Sequence, residues 1–422
     1  MEIVTCNSEI AKRALPNLWS ALPCQRFGHL RPVAAVRLLN GWLTGSGDRS
    51  PETKAVTGHR TPNELSLQTV THHSFLITSS IHYLRFTIAD MRYRLFGRTG
   101  WQVSEIGYGM WGMAGWSNSD DQESLQSLQA AVNLDCNFFD TAHAYGEGHS
   151  EKLLGQTVRS NRNKRLYTAT KVPPRNRQWP ARPETTLQDT YPPDHVEEYV
   201  HRSLENAGLE SFDLIQFHTW EDDWLRDDRW LYKLDDLRSQ RLINAIGLSL
   251  NRWEPWNGVR AVRTGQIDSV QVIYNIFDQN PEDDLFPACE EMRTAVIARV
   301  PFDEGTLTGT LTKESKWPEG DWRNTYFVPE NLIASVERAD ALKELLRKWN
   351  QEHSGEPEIT LPELALRFIL MNPTVSTIIP GMRKLSHVEA NIAASDAGPL
   401  PADLYQQLKE YRWERKPTPW SQ

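Results

Sequence analysis

From Met91 onward, short uninterrupted apolar runs alternate with stretches whose apolar residues recur at helical spacing, and this alternation constrains the fold more than any other feature. The first runs span Ser104 to Trp111, Phe138 to Asp140, Arg165 to Lys171 and Phe212 to Phe217. Ile243 to Ser249, Ser269 to Ile273, Ala295 to Val300 and Val375 to Ile379 follow. Between them the spacing predicts helices over Ser150 to Val158, Val196 to Ala207, Trp230 to Gln240, Asp283 to Met292, Asn331 to Asn350, Leu361 to Met371 and Ser386 to Ala394. Another helix follows Ser119-Asp-Asp-Gln122, which reads as a capping box, with Leu125, Leu128 and Val132 on one face. Strands that are apolar throughout, rather than alternating, are parallel strands buried on both faces. Eight such units fit a (β/α)8 barrel, of class α/β, with an open doubly wound sheet as the alternative. Arg92 to Val103 reads as a hairpin with a Gly-containing turn placed ahead of the barrel.

Residues 1–90 lack this pattern and are rich in Ser, Thr, Arg and His. They read as a disordered extension, or as no part of the native protein, with a small accessory domain as the alternative. Met91 directly precedes the patterned region and is a candidate start. The domain division is therefore 1–90 and 91–422. The net charge of -9 argues against nucleic acid as the main partner. No apolar run approaches the roughly 18 residues of a membrane-spanning helix, and no signal peptide is recognisable. The four cysteines are scattered, with no Cys-x-x-Cys pair, which points to a reducing, cytoplasmic setting and to no metal site. Cys136 beside an apolar run reads as core.

Gly107-Tyr-Gly109-Met-Trp-Gly112 matches Gly-x-Gly-x-x-Gly after a strand. In the dinucleotide-binding version the helix begins within the glycines, so that its N-terminus meets the pyrophosphate. Here seven residues, Met113 to Ser119, intervene before any helical pattern. The glycines therefore read as room for a barrel strand beside a neighbour or ligand.

Four polar groups fall at or just past strand ends: Asp140, Tyr145 in the following loop, Lys171 and His218. Barrel strand ends share one mouth. Each residue alone has an ordinary structural role, as a loop cap, a rim aromatic, a solvated cation or a core histidine. Together they suit carbonyl reduction. A carbonyl that accepts a hydride must also receive a proton, and a phenol near pKa 10 is a poor donor at neutral pH. A lysine ammonium favours the phenolate, a carboxylate holds the lysine, and a histidine can orient the carbonyl oxygen. In these residues the chain resembles the aldo/keto reductase family, from Met91 to about Ala394. The resemblance implies a (β/α)8 barrel, a catalytic tetrad of Asp140, Tyr145, Lys171 and His218, NADPH rather than NADH as cofactor, and an aldehyde or ketone as substrate. It makes Tyr145 the general acid, or the base when the reaction runs as an alcohol or sugar dehydrogenase.

The resemblance extends to the cofactor side. Ser249, Asn251 and Gln271 match positions that hold the nicotinamide carboxamide, although Leu250 separates the first two. Trp111 is a further expected contact. Arg299, Pro301, Phe302, Gly305 and Leu307 lie in a segment expected to pass the nicotinamide and pyrophosphate, and Arg299 stands where many members carry an aromatic residue. Gly381, Arg383 and Lys384 precede a helix for which Ser386 and Glu389 resemble a capping box. The basic pair there is the expected 2′-phosphate site, and Asn391 matches an adenine contact. Trp111, Trp116, Trp179 and Trp220 are expected to wall the substrate pocket, with Trp224 on the loop of Trp220 and Trp317 and Trp322 on the loop after the seventh strand. Two other functions stay open: a cofactor-sensing binding module resembling the potassium-channel β-subunits, and a lyase or isomerase using Lys171 as a Schiff-base nucleophile. The partner expected is a small carbonyl compound, without nucleic acid or membrane.

Overall fold

The computed structural model describes residues 91–114 and 120–415, so the expectations for residues 1–90, Trp116 and Ser119 lie outside the described residues. The chain enters through a hairpin of β1 (Tyr93–Leu95) and β2 (Gln102–Ser104), antiparallel with Tyr93 opposite Ser104. Its turn is a short 3-10 segment, Gly97–Thr99, ended by Gly100 in the left-handed region. The barrel units follow: β3 (Tyr108–Gly109), α1 (Asp121–Asn133), β4 (Phe138–Asp140), α2 (His149–Ser160), β5 (Tyr167–Val172), α3 (Leu187–Thr190), α4 (Pro193–Ala207), β6 (Phe212–Phe217) and α5 (Arg229–Ser239). The second half holds β7 (Ile243–Ser249), α6 (Val259–Arg263), β8 (Ser269–Ile273), α7 (Leu285–Met292), β9 (Ala295–Arg299), α8 (Arg323–Tyr326), α9 (Pro329–Glu352), α10 (Leu361–Leu370), β10 (Val375–Ile378), α11 (Leu385–Asp396) and α12 (Ala402–Lys409).

Each strand from β3 to β10 is parallel to the next in sequence. Two parallel bridges, Ile106 to Ile378 and Gly109 to Gly381, bring the last strand beside the first. This closure excludes the doubly wound alternative. It also explains the glycine motif, because a Cβ on Gly109 would lie 2.5 Å from the Ile379 carbonyl oxygen. Only a residue without a side chain lets the two strands meet there.

The strands are apolar on both faces because both faces are covered. Inward residues Phe138, Ala169, Leu214, Ala245, Ala295 and Ile297 fill the barrel, and Phe96 and Val103 of the hairpin plug its lower end. Outward residues such as Ile215, Phe217, Ile246, Val270 and Val272 pack under helix residues including Val196, Val200, Leu234 and Leu237. Each such large apolar side chain contributes about 1.5–3 kcal/mol by leaving water. Cys136 and Cys289 are buried free thiols in this layer. No helix among the described residues is long and apolar enough to cross a membrane.

Several local readings need correction. The N-cap of α1 is Asp120, whose carboxylate accepts from the Glu123 amide at 2.8 Å, one residue later than the Ser119 box. The box at Ser386 and Glu389 does not form: α11 starts at Leu385, Lys384 is its N-cap, and no side chain caps it. β3 is two residues long, against a predicted run of Ser104 to Trp111. Three helices, α3, α8 and α12, stand where loops or nothing were expected. The last of them buries Leu404 and Leu408 and leads the chain back toward the barrel, where the Trp413 amide donates to the Phe277 carbonyl at 2.8 Å.

Candidate active site

The C-terminal ends of the strands open into a cavity of about 1350 Å³. At its floor Asp140 ends β4 and Lys171 lies one residue from the end of β5, 1% and 0% exposed. Lys171 Nζ donates to Asp140 Oδ1, to the Thr141 carbonyl at 2.8 Å, and to the Tyr145 hydroxyl at 3.4 Å. Asp140 Oδ2 accepts from both Gln216 Nε2 and Gln271 Nε2, each at 2.9 Å. The strand register supports this, since Lys171 lies opposite Gln216, and Gln216 opposite Gly247. A Cβ on Gly247 would sit 2.8 Å from Gln216 Cγ, so the glycine leaves room for that amide.

Tyr145 is carried by a tightly wound loop. Gly146, Glu147 and Gly148 all have positive φ, and the Gly148 amide donates back to the His143 carbonyl at 2.7 Å. Thr141 Oγ1 donates to Ser150 Oγ at 2.7 Å, which donates in turn to the Met110 carbonyl at 3.2 Å. The loop is thereby tied at both ends. His218 follows β6 directly, its ring centroid 5.8 Å from that of Tyr145 and 5.7 Å from that of Trp179, both edge-on.

Burial pushes the Tyr145 phenol above its ordinary value and outweighs the downward pull of Lys171. The expected lowering by lysine is therefore real in sign but not the net result. A phenol kept protonated this way is a proton donor rather than a resting phenolate. Burial, and then the charges of Lys171 and Arg299, hold His218 well below the usual histidine range. At neutral pH it is an uncharged imidazole, fit to hydrogen-bond an oxygen and not to serve as a strong acid. Lys171, with three oxygen acceptors around its ammonium, is poorly disposed to act as a Schiff-base nucleophile.

The opposite wall is the segment after β9. Val300, Asp303 and Glu304 have positive φ although none is glycine, conformations that persist only where the surroundings impose them. The surroundings are ionic. Arg252 pairs with Glu304 at 3.0 Å and Asp303 at 3.6 Å, and Arg415 pairs with Asp303 at 2.7 Å and Asp278 at 3.5 Å. His218 Nδ1, Arg252 Nε and Arg299 Nε are buried polar atoms with no protein partner, and all three residues line the cavity. Unsatisfied buried groups of this kind are costly in a closed core and ordinary in a site that takes a polar ligand. Their placement fits a nicotinamide dinucleotide.

Comparison with known proteins bears on that fit. The family model described as the aldo/keto reductase family matches residues 105–412. The chain belongs to the aldo/keto reductase family. It is 26% identical over 323 residues to the uncharacterized oxidoreductase YqkF of Bacillus subtilis, covering 76% of this chain and 96% of that protein. It is also 26% identical over 331 residues to the NADH-specific methylglyoxal reductase of Escherichia coli, covering 74% of this chain and 97% of that protein. Among solved structures it is similar to the holo form of the aldo-keto reductase AKR11C1 from Bacillus halodurans, at a TM-score of 0.59 and 23% identity, over 79% of this chain and all (100%) of that one.

In this aldo/keto reductase, Trp111, Asp140, Tyr145, Trp179, His218, Ser249, Asn251, Gln271, Arg299, Pro301, Phe302, Gly305, Gly381, Arg383 and Lys384 all line the one cavity. Other expected positions lie elsewhere. Trp220 is 0% exposed, packed against Phe217 and Trp230 with its indole N–H donated to Asp222, so it belongs to the core and not to the substrate wall. Trp224 is likewise buried, and Trp317 stacks on Phe327 in a separate cluster with Leu332 and Val336. Trp322 does reach the cavity, edge-on to Trp111. Leu307 and Asn391 are buried away from the lining. The amide of Asn251 is engaged by Glu221 at 3.2 Å and Glu254 at 3.0 Å, and that of Gln271 by Asp140. Three neighbours of the site went unread in the sequence. Gln216 shares the inward face of β6 with Leu214, two residues away, and its polarity in an apolar strand was a usable signal. Arg252, one residue past Asn251, carried a similar signal as a cation at a strand mouth; Arg415 carried none.

Proposed function

We propose that the protein reduces an aldehyde or ketone with a hydride taken from NADPH, reversibly, with Tyr145 as the proton donor. The observation that carries this reading is the 3.4 Å contact between the Tyr145 hydroxyl and Lys171 Nζ at the cavity floor, with Lys171 locked by Asp140 and Thr141. The cofactor supplies the hydride; the chain supplies everything else. Tyr145 gives its phenolic proton to the carbonyl oxygen, and the fixed ammonium of Lys171 stabilises the phenolate that remains. Neutral His218 orients the same oxygen through a hydrogen bond. Ser249 and Arg299 offer polar groups to the nicotinamide end of the cavity. Arg383 and Lys384 lie beside the N-terminus of α11, where backbone amides and the helix dipole favour an anion such as a 2′-phosphate. Trp111 and Trp179, 41% and 46% exposed, offer apolar walls at the substrate side.

The test is NADPH oxidation over a panel of aldehydes, ketones and sugars, followed by ultraviolet absorbance. Tyr145→Phe should keep cofactor binding and lose turnover by about 10²–10⁴-fold, the usual contribution of a positioned general acid. Wild-type turnover in that variant would remove Tyr145 from the role.

A further inference from the structure

Arg299 ends β9 and lines the cavity together with Tyr145, His218, Ser249 and Gln271. Among the described residues its guanidinium makes one hydrogen bond, from Nη2 to the neutral Leu250 carbonyl at 3.0 Å, and its Nε is buried without an acceptor. The nearby carboxylates are engaged elsewhere: Glu304 and Asp303 by Arg252, Asp303 and Asp278 by Arg415. The Lys171 ammonium is likewise matched by Asp140. Arg299 is thus a cation at the cavity wall that no carboxylate among the described residues neutralises by direct contact. Burial, then the charge of Arg252, brings it down to about 10, which still leaves it protonated at neutral pH. Its charge is felt at the reacting groups, pulling both Tyr145 and His218 downward.

The chemistry proposed above changes the charge of what lies in this cavity. Carbonyl reduction adds a hydride to the carbonyl carbon and the Tyr145 proton to its oxygen. The nicotinamide ring that gives up the hydride passes from neutral to singly positive. We propose that Arg299 sets the redox preference of the site, its guanidinium opposing the cationic oxidised ring so that the reduced cofactor binds more tightly than the oxidised one. This rests on the nicotinamide reading of the cavity. A unit charge acting on a unit charge across a protein wall of effective dielectric about 20 shifts a binding ratio by about tenfold at roughly 10 Å. The consequence for turnover lies in exchange: the oxidised cofactor leaves readily after each reduction, while on the protein the same charge makes the bound reduced cofactor a weaker hydride donor and leaves the overall equilibrium unchanged.

The experiment titrates wild type, Arg299→Gln and Arg299→Lys with NADPH and with NADP+, read by quenching of intrinsic tryptophan fluorescence, with far-UV circular dichroism as the check on folding. Wild type should bind NADPH more tightly than NADP+. The ratio of the two dissociation constants should fall about tenfold in Arg299→Gln and return in Arg299→Lys, which keeps the charge without the planar fork. An unchanged ratio in folded Arg299→Gln, whether both forms bind as before or both weaken by one common factor, overturns the assignment; the second pattern is that of a phosphate or positioning contact. Wild type that binds neither form removes the cofactor reading itself, and the charge assignment with it.

Discussion

The ion pair under the tyrosine makes a quantitative demand on stability. Asp140 and Lys171 are 1% and 0% exposed, so solvent screens neither partner. Asp140→Asn keeps the shape and removes the charge. Whichever way the new amide turns, its NH2 faces a donor, either the Lys171 ammonium or the amides of Gln216 and Gln271. Removing one partner of such a buried pair costs about 3–5 kcal/mol, chiefly because the other charge is stranded. That is a large share of the roughly 5–15 kcal/mol by which a domain is stable. Lys171→Met strands Asp140 and should cost a similar amount. The double variant, with neither charge left, should be no less stable than the worse single variant. The coupling energy then lies at or beyond the top of the about 0.5–3 kcal/mol range seen for residues in contact. Equilibrium urea unfolding of the four proteins, followed by far-UV circular dichroism, measures the cycle. Losses that simply add, to within about 0.5 kcal/mol, would refute the buried-pair argument.

Two further outcomes follow from the geometry. Arg383→Ala should weaken NADPH by roughly 10–100-fold, the loss of one charge-assisted hydrogen bond, and NADH much less; equal weakening of both, in fluorescence titrations, would remove the 2′-phosphate assignment. His218 is held well below the histidine range in the fold, while the unfolded chain titrates near pH 6.5, so the unfolded state binds the extra proton and stability present above about pH 6.5 is lost as pH falls. In urea midpoints taken from about pH 7 to about pH 5, His218→Gln should flatten that acid loss by about 1.4 kcal/mol per pH unit, and an unchanged slope would show that His218 titrates in the fold. His143 and His195, also lowered chiefly by burial, act in the same direction and keep some slope in the variant.

The barrel was legible because its strands obey one rule: a run buried on both faces is apolar throughout. β6, β7 and β8 fall on the residues read from sequence for that reason. β3 was read too long because Ser104 belongs to the hairpin strand β2, only Tyr108 and Gly109 pair with β4, and the far side makes only isolated bridges at Ile106 and Gly109. The helix α3 is one turn held by Thr186 and Asp189, too short to show a period. The strand ends at Asp140, Lys171, His218 and Ser249 were legible in sequence, but side-chain direction is set by competing partners. Gln271 turns to Asp140 and Asn251 to two carboxylates because those acceptors lie within reach. Trp220 shows the same limit: its loop borders the cavity, yet the indole fills the gap beside Phe217 and Trp230.

The closure of the ring has a consequence in time. On the side that closes the ring, Ile106 and Gly109 find their partners at Ile378 and Gly381, and Arg415 reaches Asp303 across 112 positions. A ribosome adding about 5–20 residues per second completes β10 roughly 15–50 s after β3. Throughout that interval the first strand has one open edge, and the plug of Phe96 and Val103 has no finished barrel to seal. The wall bearing Asp303 waits longer still, for a guanidinium made last. A nascent chain of this protein therefore passes through a stage in which seven strands are laid down and the mouth that would hold a substrate does not yet exist. That stage, rather than the finished molecule, is where protection from self-association is most needed.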